Sequence, residues 1–454
     1  MRKRAHINTM GCQMNVQDSG RMRDLLASMG YEPEENPHKA DLVLVNTCMI
    51  REKAEEKAFS FLGRMAKIKR RRPHLLVCVA GCVSQAHGKA ILKRAPYVDV
   101  VLGTGAVTRL PKLVEQRIAT GLPALDTEMD QPGFGPLPGP RTGPTAFVTI
   151  MTGCDNFCSY CVVPHVRGRE KSRPPDDVLA EVRVLAAQGV SEVTLLGQNV
   201  NSYGKKEGLC TFPELLEKVH AVDGIRRIRF VTSHPKDLSP ELINAFSGLD
   251  KLCGHIHLPI QSGSDRILAA MNRKYTADAY MDKLSALRAA RAGMAVTTDF
   301  IVGFPGETER DFEKTMDLVC SARFDGLFAF KYSDRPHAPA SRLDDKVPEK
   351  EKARRLAAIL DAANAIIQEK NQALAGSVLT VLVEGASKQA GNQATGRTSG
   401  NRVVNFEVPK GMENQLKAGA YVDVAIEKGH AHSLWGRVLP SGGGKKPWEM
   451  CHAA

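Results

Sequence analysis

Six short apolar runs recur between residues 145 and 335, and their spacing constrains the fold of this chain more than any other feature. Helical stretches separate the runs, and the interval has the length that a strand, a crossover helix and the next parallel strand require. The runs lie at 146–150, 193–196, 228–232, 255–258, 296–302 and 327–331. Six such units predict a partial (β/α)6 barrel over 145–375, with its chemistry at the carboxyl ends of the strands.

Residues 1–130 predict a separate α/β domain that precedes the barrel. Strand-like runs at 6–10, 42–46, 75–79 and 98–102 alternate with helical stretches at about 15–28, 51–71 and 86–95. This alternation predicts a largely parallel sheet. Because ligands of open α/β sheets bind beyond the carboxyl ends of the strands, we expect the functional residues of this domain there.

Composition changes at two further points of the chain. Residues 131–144 are mostly Gly and Pro, which neither a helix nor a central strand tolerates, so this segment is predicted to be a linker. Residues 376–440 hold short strand-like runs broken by Gly, Asn and Lys. They predict a small all-β barrel, of the kind often used to bind single-stranded nucleic acid. The tail, 441–454, is predicted to be disordered.

The chain of 454 residues has a formal net charge of +12, and this excess is unevenly distributed. Residues 57–98 hold ten Lys or Arg and no Asp or Glu. A basic cluster at the end of a helix can be a solvated terminus that complements the helix dipole, or a phosphate-binding site. The absence of acids over the whole stretch favours a nucleic-acid partner.

Hydropathy and cysteine usage predict a cytoplasmic protein. No apolar run approaches the roughly 20 residues that a membrane span needs. The basic start continues into the polar segment 11–15 rather than the apolar core of a signal peptide. The eleven cysteines are an odd number in a long chain, which favours metal or redox chemistry over a disulfide framework.

Three cysteines follow the first predicted barrel strand with the spacing C-x₃-C-x₂-C: Cys154, Cys158 and Cys161. A structural zinc site needs four ligands, usually from C-x₂-C pairs, and no fourth ligand is local. A cubane iron–sulfur cluster takes soft thiolates, and three of them leave one iron open. Coincidental packing in a small core is the alternative, which the scarcity of cysteine elsewhere in the barrel disfavours.

Three more cysteines, Cys12, Cys48 and Cys82, follow predicted strands of the N-terminal domain. Strand ends of one parallel sheet lie side by side, so the three loops can converge. Glycine precedes two of the cysteines and allows the backbone to approach a bulky ligand. From the residues alone, a metal site and three buried structural cysteines both remain open.

The C-x₃-C-x₂-C motif, with Tyr160 before its last cysteine, resembles that of radical S-adenosylmethionine (SAM) enzymes. Together with the N-terminal cysteines, it resembles the methylthiotransferases, which are radical SAM enzymes with a second 4Fe–4S cluster. The match continues through LGQNVNS at 196–202, TSHPK at 232–236, HLPIQSGSD at 257–265, MNRKYT at 271–276, DFIVGFPGE at 299–307 and a terminal TRAM-type barrel. The resemblance therefore covers nearly the whole chain.

The resemblance implies two 4Fe–4S clusters and SAM as cofactors. The implied ligands are Cys154, Cys158 and Cys161 in the barrel and Cys12, Cys48 and Cys82 in the N-terminal domain. It also implies that one SAM methylates a sulfur at the N-terminal cluster and that a second is cleaved to a radical at the barrel cluster. Tyr160 is expected near the adenine of SAM. No catalytic residue is assigned beyond the cluster ligands.

Polar residues at the barrel strand ends are candidates for binding SAM or the nucleoside. They are Gln198, Asn199, Ser233, Gln261, Ser262 and Asp299. The alternative for each is a hydrogen bond to loop backbone. Arg273 could bind a carboxylate or phosphate, but a surface ion pair is more frequent for a single arginine.

Members of the family differ in substrate, and the strings at 11–15, 46–57 and 396–406 resemble one group. That group methylthiolates carbon 2 of N6-isopentenyl-adenosine beside the tRNA anticodon. We therefore expect the anticodon stem-loop as partner, with RNA contacts at Lys388, Arg397 and Arg402. The alternatives are an aspartate of a ribosomal protein, threonylcarbamoyl-adenosine, or a non-enzymatic iron–sulfur RNA-binding protein.

The same resemblance implies further partners. The enzyme is expected to be a monomer without membrane association, to take electrons from a donor such as flavodoxin or ferredoxin, and to receive its clusters from an iron–sulfur carrier.

Overall fold

The structure is a computed structural model that describes residues 2–49, 52–129, 134, 139–140, 143–387, 392–409, 411–412 and 416–439, with backbone alone for 52–54. Most of the expected linker, the expected tail and Lys388 lie outside the described residues. Among the described helices, none combines the length and the hydropathy that a membrane span requires.

The N-terminal domain is a six-stranded, fully parallel sheet with helices on both faces. Its strands are β1 Lys3–Thr9, β2 Tyr31–Pro33, β3 Leu42–Thr47, β4 Leu76–Gly81, β5 Val100–Leu102 and β6 Ala124–Asp126, in the order β2-β1-β3-β4-β5-β6. Its helices are α1 Gln13–Ser28, α2 Glu52–Arg71, α3 Cys82–His87, α4 Lys89–Arg94 and α5 Leu110–Thr120. The predicted parallel sheet is confirmed.

The central strand β3 shows why this sheet is covered on both sides. All six of its residues are buried, and their side chains alternate between two cores. Val43 and Val45 pack with α2 and α4, whereas Leu42 and Leu44 pack with α1 and α5. Burying each such side chain contributes about 1.5–3 kcal/mol. The two edge strands, β2 and β6, were not predicted, because three residues are too few to show a period.

The middle of the chain forms the predicted partial barrel. Its strands are β7 Thr145–Thr149, β8 Met151–Thr152, β9 Lys171–Ser172, β10 Glu192–Leu196, β11 Arg227–Phe230, β12 His255–His257, β13 Ala295–Val302 and β14 Gly326–Lys331. Its helices are α6 Val163–Arg167, α7 Pro175–Ala187, α8 Phe212–His220, α9 Pro240–Gly248, α10 Asp265–Ala270, α11 Ala277–Ala290, α12 Glu309–Ala322 and α13 Glu349–Gln372.

The barrel wall consists of two parallel three-stranded sheets, β7-β10-β11 and β12-β13-β14. An isolated bridge between Ile228 and Leu252 connects them, so the six strands follow one another around the wall as predicted. Local sequence sets where the outer helices begin. Thr211 and Thr308 each form a capping box with an acid three residues later, which satisfies the exposed amides of α8 and α12.

The C-terminal domain is a closed five-stranded barrel of the predicted kind. Its strands are β15 Val378–Ala386, β16 Gln393–Thr398, β17 Val403–Glu407, β18 Tyr421–Gly429 and β19 Leu434–Val438, in the order β15-β16-β17-β19-β18. Two buried arginines of β11 hold it to the larger barrel. Arg227 donates to the carbonyls of Arg397 and Thr380 at 2.8 and 2.9 Å. Arg229 donates to the carbonyls of Ser399 and Thr398 at 2.9 and 2.6 Å.

Candidate functional site

The loop that carries Cys12 lies directly against Cys48. Gly11 has φ of +137°, and a Cβ at this position would come within 2.6 Å of the Cys48 Cβ. Asn15 holds the loop in place, because its side chain donates to Asn46 Oδ1 at 3.0 Å and accepts from the Cys12 thiol at 3.3 Å. A side chain other than hydrogen at position 11 would therefore separate the first two cysteines of the N-terminal set.

A second glycine brings the β3 and β4 loops together. Gly81 has φ of +93°, and a Cβ there would come within 2.3 Å of the Thr47 carbonyl oxygen. Thr47 and Gly81 precede Cys48 and Cys82, both of which are buried. The carboxyl ends of three neighbouring strands, β1, β3 and β4, thus carry the three cysteines expected to act together.

The electrostatics of this group favour a thiolate at Cys12. A hydrogen bond with Cys48 lowers the pKa of the Cys12 thiol to about 6 against the opposing effect of burial, and the positive charge of Arg167 adds to the lowering. Burial raises the pKa of the Cys82 thiol, which Arg167 partly offsets. The thiolate is the form that ligates metals.

The barrel cysteines lie in the loop after β8. Gly153 has φ of +74°, and a Cβ there would lie 2.0 Å from the Arg169 carbonyl oxygen, so the loop can follow this path only with glycine. Sulfur atoms of the loop accept weak hydrogen bonds from nearby N–H groups. The donors are Asn156 Nδ2 to Cys154 at 3.5 Å, the Val163 amide to Cys161 at 3.5 Å and Arg273 Nη1 to Cys158 at 3.4 Å.

Burial raises the pKa of Cys154 to about 11 and that of Cys161 to about 12. Binding a metal at these thiols would therefore release protons, and the metal's own charge would stabilise the thiolates. In the part of the chain that the structure describes, no group of three His, Cys, Asp or Glu is arranged around a single ion. A cubane cluster instead spreads its thiolates over different irons.

A cavity of about 140 Å³ lies between the N-terminal domain and the barrel. Its lining includes Cys12 and Cys82 on one side and the ends of β10 and β11, with Gln198 and Thr232, on the other. The barrel cysteines do not line it, but Val162 and Val163, directly after Cys161, do. Two of the three N-terminal cysteines therefore face the carboxyl ends of the barrel strands across one cavity.

Three of the expected SAM or nucleoside contacts have polar atoms free for a ligand. Gln198 Oε1, Asn199 Oδ1 and Ser233 Oγ are buried and have no hydrogen-bond partner within the described structure. Gln198 also lines the cavity, and Ser233 follows cavity-lining Thr232. Burial without a partner is costly unless a ligand or water supplies one.

The second polar atom of Asn199 and atoms of the remaining expected contacts have partners within the protein. Asn199 Nδ2 donates to Asp237 at 2.8 Å, Ser262 Oγ accepts from the Ser264 amide at 3.2 Å, and Asp299 lies 3.4 Å from His257 Nε2. The backbone N–H of Gln261 donates to the backbone carbonyl of Asp299 at 2.9 Å. Tyr160 Oη accepts from Arg273 at 3.3 Å. As cofactor contacts, these residues stay predictions.

The expected RNA contacts of the C-terminal barrel also have internal partners. Arg402 donates to Asp325 at 2.6 Å and thereby joins the two barrels. Arg397 forms an ion pair with Glu384 at 3.0 Å. Their roles in RNA binding stay predictions, as does that of Lys388 outside the described residues.

Sequence reasoning missed two arginines of the site. Of the two alternatives for Arg273, the surface ion pair is wrong, because its side chain is buried against Cys158 and Tyr160, whereas binding of a carboxylate or phosphate stays a prediction. Arg167 was not singled out, and it lies against Cys12 and Cys82. Its position six residues after Cys161 was the available signal, but Arg169 and Arg173 also follow the motif, eight and twelve residues after Cys161.

Family models match three parts of the chain. Residues 4–103 match the uncharacterized protein family UPF0004, residues 148–319 the radical SAM superfamily, and residues 372–439 the TRAM domain. These matches coincide with the N-terminal sheet, the partial barrel and the closed barrel.

Curated relatives are similar over almost the whole chain. The chain is 54% identical over 448 residues to the tRNA-2-methylthio-N(6)-dimethylallyladenosine synthase of Desulfosudis oleivorans, covering 96% of each protein. It is 47% identical over 448 residues to the protein of the same name from Geobacter sulfurreducens, covering 97% of this chain and 98% of that protein.

Solved structures share the fold at low identity. The radical S-adenosylmethionine methyltransferase TsrM from Kitasatospora setae, with tryptophan and a SAM analogue, superposes with a TM-score of 0.57 at 13% identity, covering 85% of this chain and 79% of that chain. The cobalamin-dependent enzyme OxsB gives 0.51 at 12% identity, covering 78% and 56%. At such identities the likeness shows the fold alone.

Proposed function

The chain belongs to the radical SAM methylthiotransferases of the tRNA-2-methylthio-N(6)-dimethylallyladenosine synthase type, and from this premise we propose how its residues divide the work. It is a radical SAM enzyme that methylthiolates carbon 2 of N6-isopentenyl-adenosine in tRNA, using a 4Fe–4S cluster and SAM. The full-length identity of 54% to a curated synthase carries this conclusion.

Each cysteine trio is proposed to hold one 4Fe–4S cluster. Both trios offer thiols beside a buried arginine, and this donor set suits an anionic iron–sulfur cluster. When bound, the cofactors supply the electron that cleaves SAM to a hydrogen-abstracting radical, a chemistry for which protein acids and bases have no counterpart. The chain's own contribution is to position and shield these groups.

In the barrel loop, Arg273 carries out much of this positioning. Its guanidinium donates to Cys158 Sγ and to the Pro259 carbonyl, at 3.4 and 2.7 Å, and thereby ties the cysteine loop to the strand end after β12. His234 Nε2 lies 4.0 Å from the same sulfur. Burial lowers the pKa of His234 to about 2, so its imidazole is neutral near pH 7. Of the two residues, only Arg273 carries a positive charge.

The cavity between the domains is the proposed place where the methylthio group from the N-terminal domain and the radical generated in the barrel reach the same base. Cys12 and Cys82 face it from the N-terminal domain, and Gln198 offers an unpartnered carbonyl oxygen from the barrel. Val162, Val163 and other apolar side chains line it as well and exclude water from a radical intermediate. We infer that the target base enters here.

A basic stripe along α2 supports tRNA as the partner. Lys57, Arg64, Lys67 and Arg71, called the α2 stripe below, are all exposed. Their spacing of three, four and seven residues places them on one helix face over about 21 Å, at 1.5 Å per residue. The stripe begins nine residues after Cys48. Such a row of cations suits the phosphate backbone of an RNA stem.

The roles of the two trios are separated by a comparison of single cysteine variants after anaerobic reconstitution. Cys12→Ala should lower the iron content from about eight to about four per chain, abolish methylthiolation and leave deoxyadenosine formation measurable. Cys154→Ala should abolish both activities. Cys320→Ala, at an exposed cysteine away from both trios, is the matched control and should change neither. Retained methylthiolation in Cys12→Ala, or equal loss of both activities there, would contradict the division of roles.

The nucleoside substrate is tested in the cell. Mass spectrometry of bulk tRNA from a deletion strain should show isopentenyl-adenosine without its methylthio group. Persistence of the methylthio mark on that nucleoside would reject this substrate and favour a ribosomal protein or threonylcarbamoyl-adenosine. Reconstituted protein that cleaves no SAM would instead favour a non-enzymatic RNA-binding role.

A further inference from the structure

A buried ion pair joins the barrel to the N-terminal domain beside the N-terminal cysteines. Arg167, the last residue of α6, donates from Nη2 to Asp18 Oδ2 of α1 at 2.8 Å. The side chains are only 6% and 9% exposed. A second link reinforces the first, since Thr104 Oγ1 donates to the Val166 carbonyl at 2.6 Å.

The same guanidinium lies near the cysteines themselves. Val166, the residue before Arg167, packs in one core with Cys82, and the charge of Arg167 acts to lower the pKa of the Cys82 and Cys12 thiols. Arg167 also lines the cavity that these two cysteines line. An arginine side chain stays protonated in proteins, so the charge here is permanent.

A permanent positive charge at this place can offset negative charge on the cluster. Burying an arginine costs several kcal/mol unless partners compensate, and Asp18 compensates it only to neutrality. Three thiolates with a 4Fe–4S core carry net negative charge, and reduction adds one more. A guanidinium beside the cluster favours the more negative state, whereas the carboxylate of Asp18, its hydrogen-bond partner, opposes it.

We propose that Arg167 is a positioning residue that locks the loop of the barrel cysteines onto the N-terminal trio and offsets the negative charge of the cluster held there. The inference rests on the proposed function only in that the N-terminal trio binds a cluster. The pair with Asp18 sets the orientation of the guanidinium, and the packing of Val166 with Cys82 sets how far it lies from the cluster.

The test uses the full chain with Cys154, Cys158 and Cys161 replaced by Ala, so that the N-terminal cluster is the only one present. Its midpoint potential is measured by redox titration followed by electron paramagnetic resonance. Arg167→Gln should shift the potential to a more negative value, and Arg167→Lys should recover most of that shift, because it keeps the charge. Asp18→Asn, which removes the opposing carboxylate, should shift the potential in the positive direction.

The control is Arg169→Gln, whose side chain is 67% exposed, and it should leave the potential unchanged. An unchanged potential in Arg167→Gln at full iron content would overturn the proposal, as would equal potentials in the Gln and Lys variants. Loss of iron from the Gln variant alone supports it, and loss from both variants overturns it. A parent protein that binds no iron at all would refute the two-cluster function itself.

Discussion

Replacing Arg229 tests how the small C-terminal barrel is held in place. Its side chain, 7% exposed, donates to Glu192 at 2.9 Å and to the carbonyls of Ser399 and Thr398 at 2.9 and 2.6 Å. Arg229→Met keeps the apolar stem and removes all three hydrogen bonds. Glu192 then stays buried with Arg227 as its nearest cation, at 3.9 Å.

Breaking a buried ion pair by removing one partner costs about 3–5 kcal/mol. Two of the three lost hydrogen bonds connect the domains, and separating the domains lets water reach the unpaired Glu192, so this cost should appear as local opening of the segment 396–402 rather than as global unfolding. At about 1.4 kcal/mol per factor of ten, amide hydrogen exchange in β16 should accelerate between about a hundredfold and a few thousandfold. Hydrogen exchange followed by mass spectrometry measures this directly.

The matched control is Arg437→Met. That arginine is 74% exposed and lies 3.8 Å from Glu427, so its loss should cost at most about 1 kcal/mol. Exchange in Arg229→Met that stays within about fivefold of this control, roughly 1 kcal/mol, would refute the reasoning. The double replacement of Arg229 and Glu192 by Met should recover part of the loss, because the Glu192 carboxylate is then no longer buried without Arg229, while Arg227 keeps its hydrogen bonds to two carbonyls.

Two further predictions concern the substrate and the barrel loop. Charge reversal at Lys57, Arg64 and Arg71 of the α2 stripe should weaken tRNA binding and flatten its log–log salt dependence by roughly one unit per lost phosphate contact, as measured by fluorescence anisotropy at several salt concentrations. The control, which should bind as the parent does, reverses three exposed cations on and beside α12: Arg310, Lys314 and Lys350. Gly153→Ala should lose the barrel iron and deoxyadenosine formation, because its Cβ would meet a backbone oxygen at 2.0 Å, whereas Gly208→Ala, also at positive φ but in open space, should keep both by iron assay.

The sequence predicted the architecture because regular elements leave local signals. The buried run of β3 and the recurring strands of the barrel are visible as short apolar stretches, and each was found within about two residues. The six cysteines could be singled out because they follow such strands. What the pattern could not show is how the domains meet, since the three-residue edge strands and the side-chain pairs between domains leave no period.

Arginine roles illustrate this limit. Arg402, an expected RNA contact, has a partner that the sequence did not show, Asp325, 77 residues away. For Arg273 the sequence favoured a surface ion pair, but its guanidinium lies against Cys158, 115 residues away. The sequence shows only that an arginine is charged, because its partner is determined by tertiary packing. Charge counts over a segment therefore predict a partner class better than they predict individual contacts.

The short stretch from Cys161 to Arg167 holds the barrel loop against the N-terminal domain, as the proposed division of roles requires. Val162 and Val166 pack into the core of the N-terminal domain with Met49 and Cys82, although they belong to the barrel segment of the chain. Arg167 then adds the ion pair with Asp18 of α1. Apolar burial and a fixed charge thus constrain the same helical turn, so the barrel cysteines cannot move far from the N-terminal trio without breaking both. A substitution that loosens this turn should consequently impair methylthiolation more than SAM cleavage. In the proposed division of roles, only methylthiolation requires the two domains to be held together.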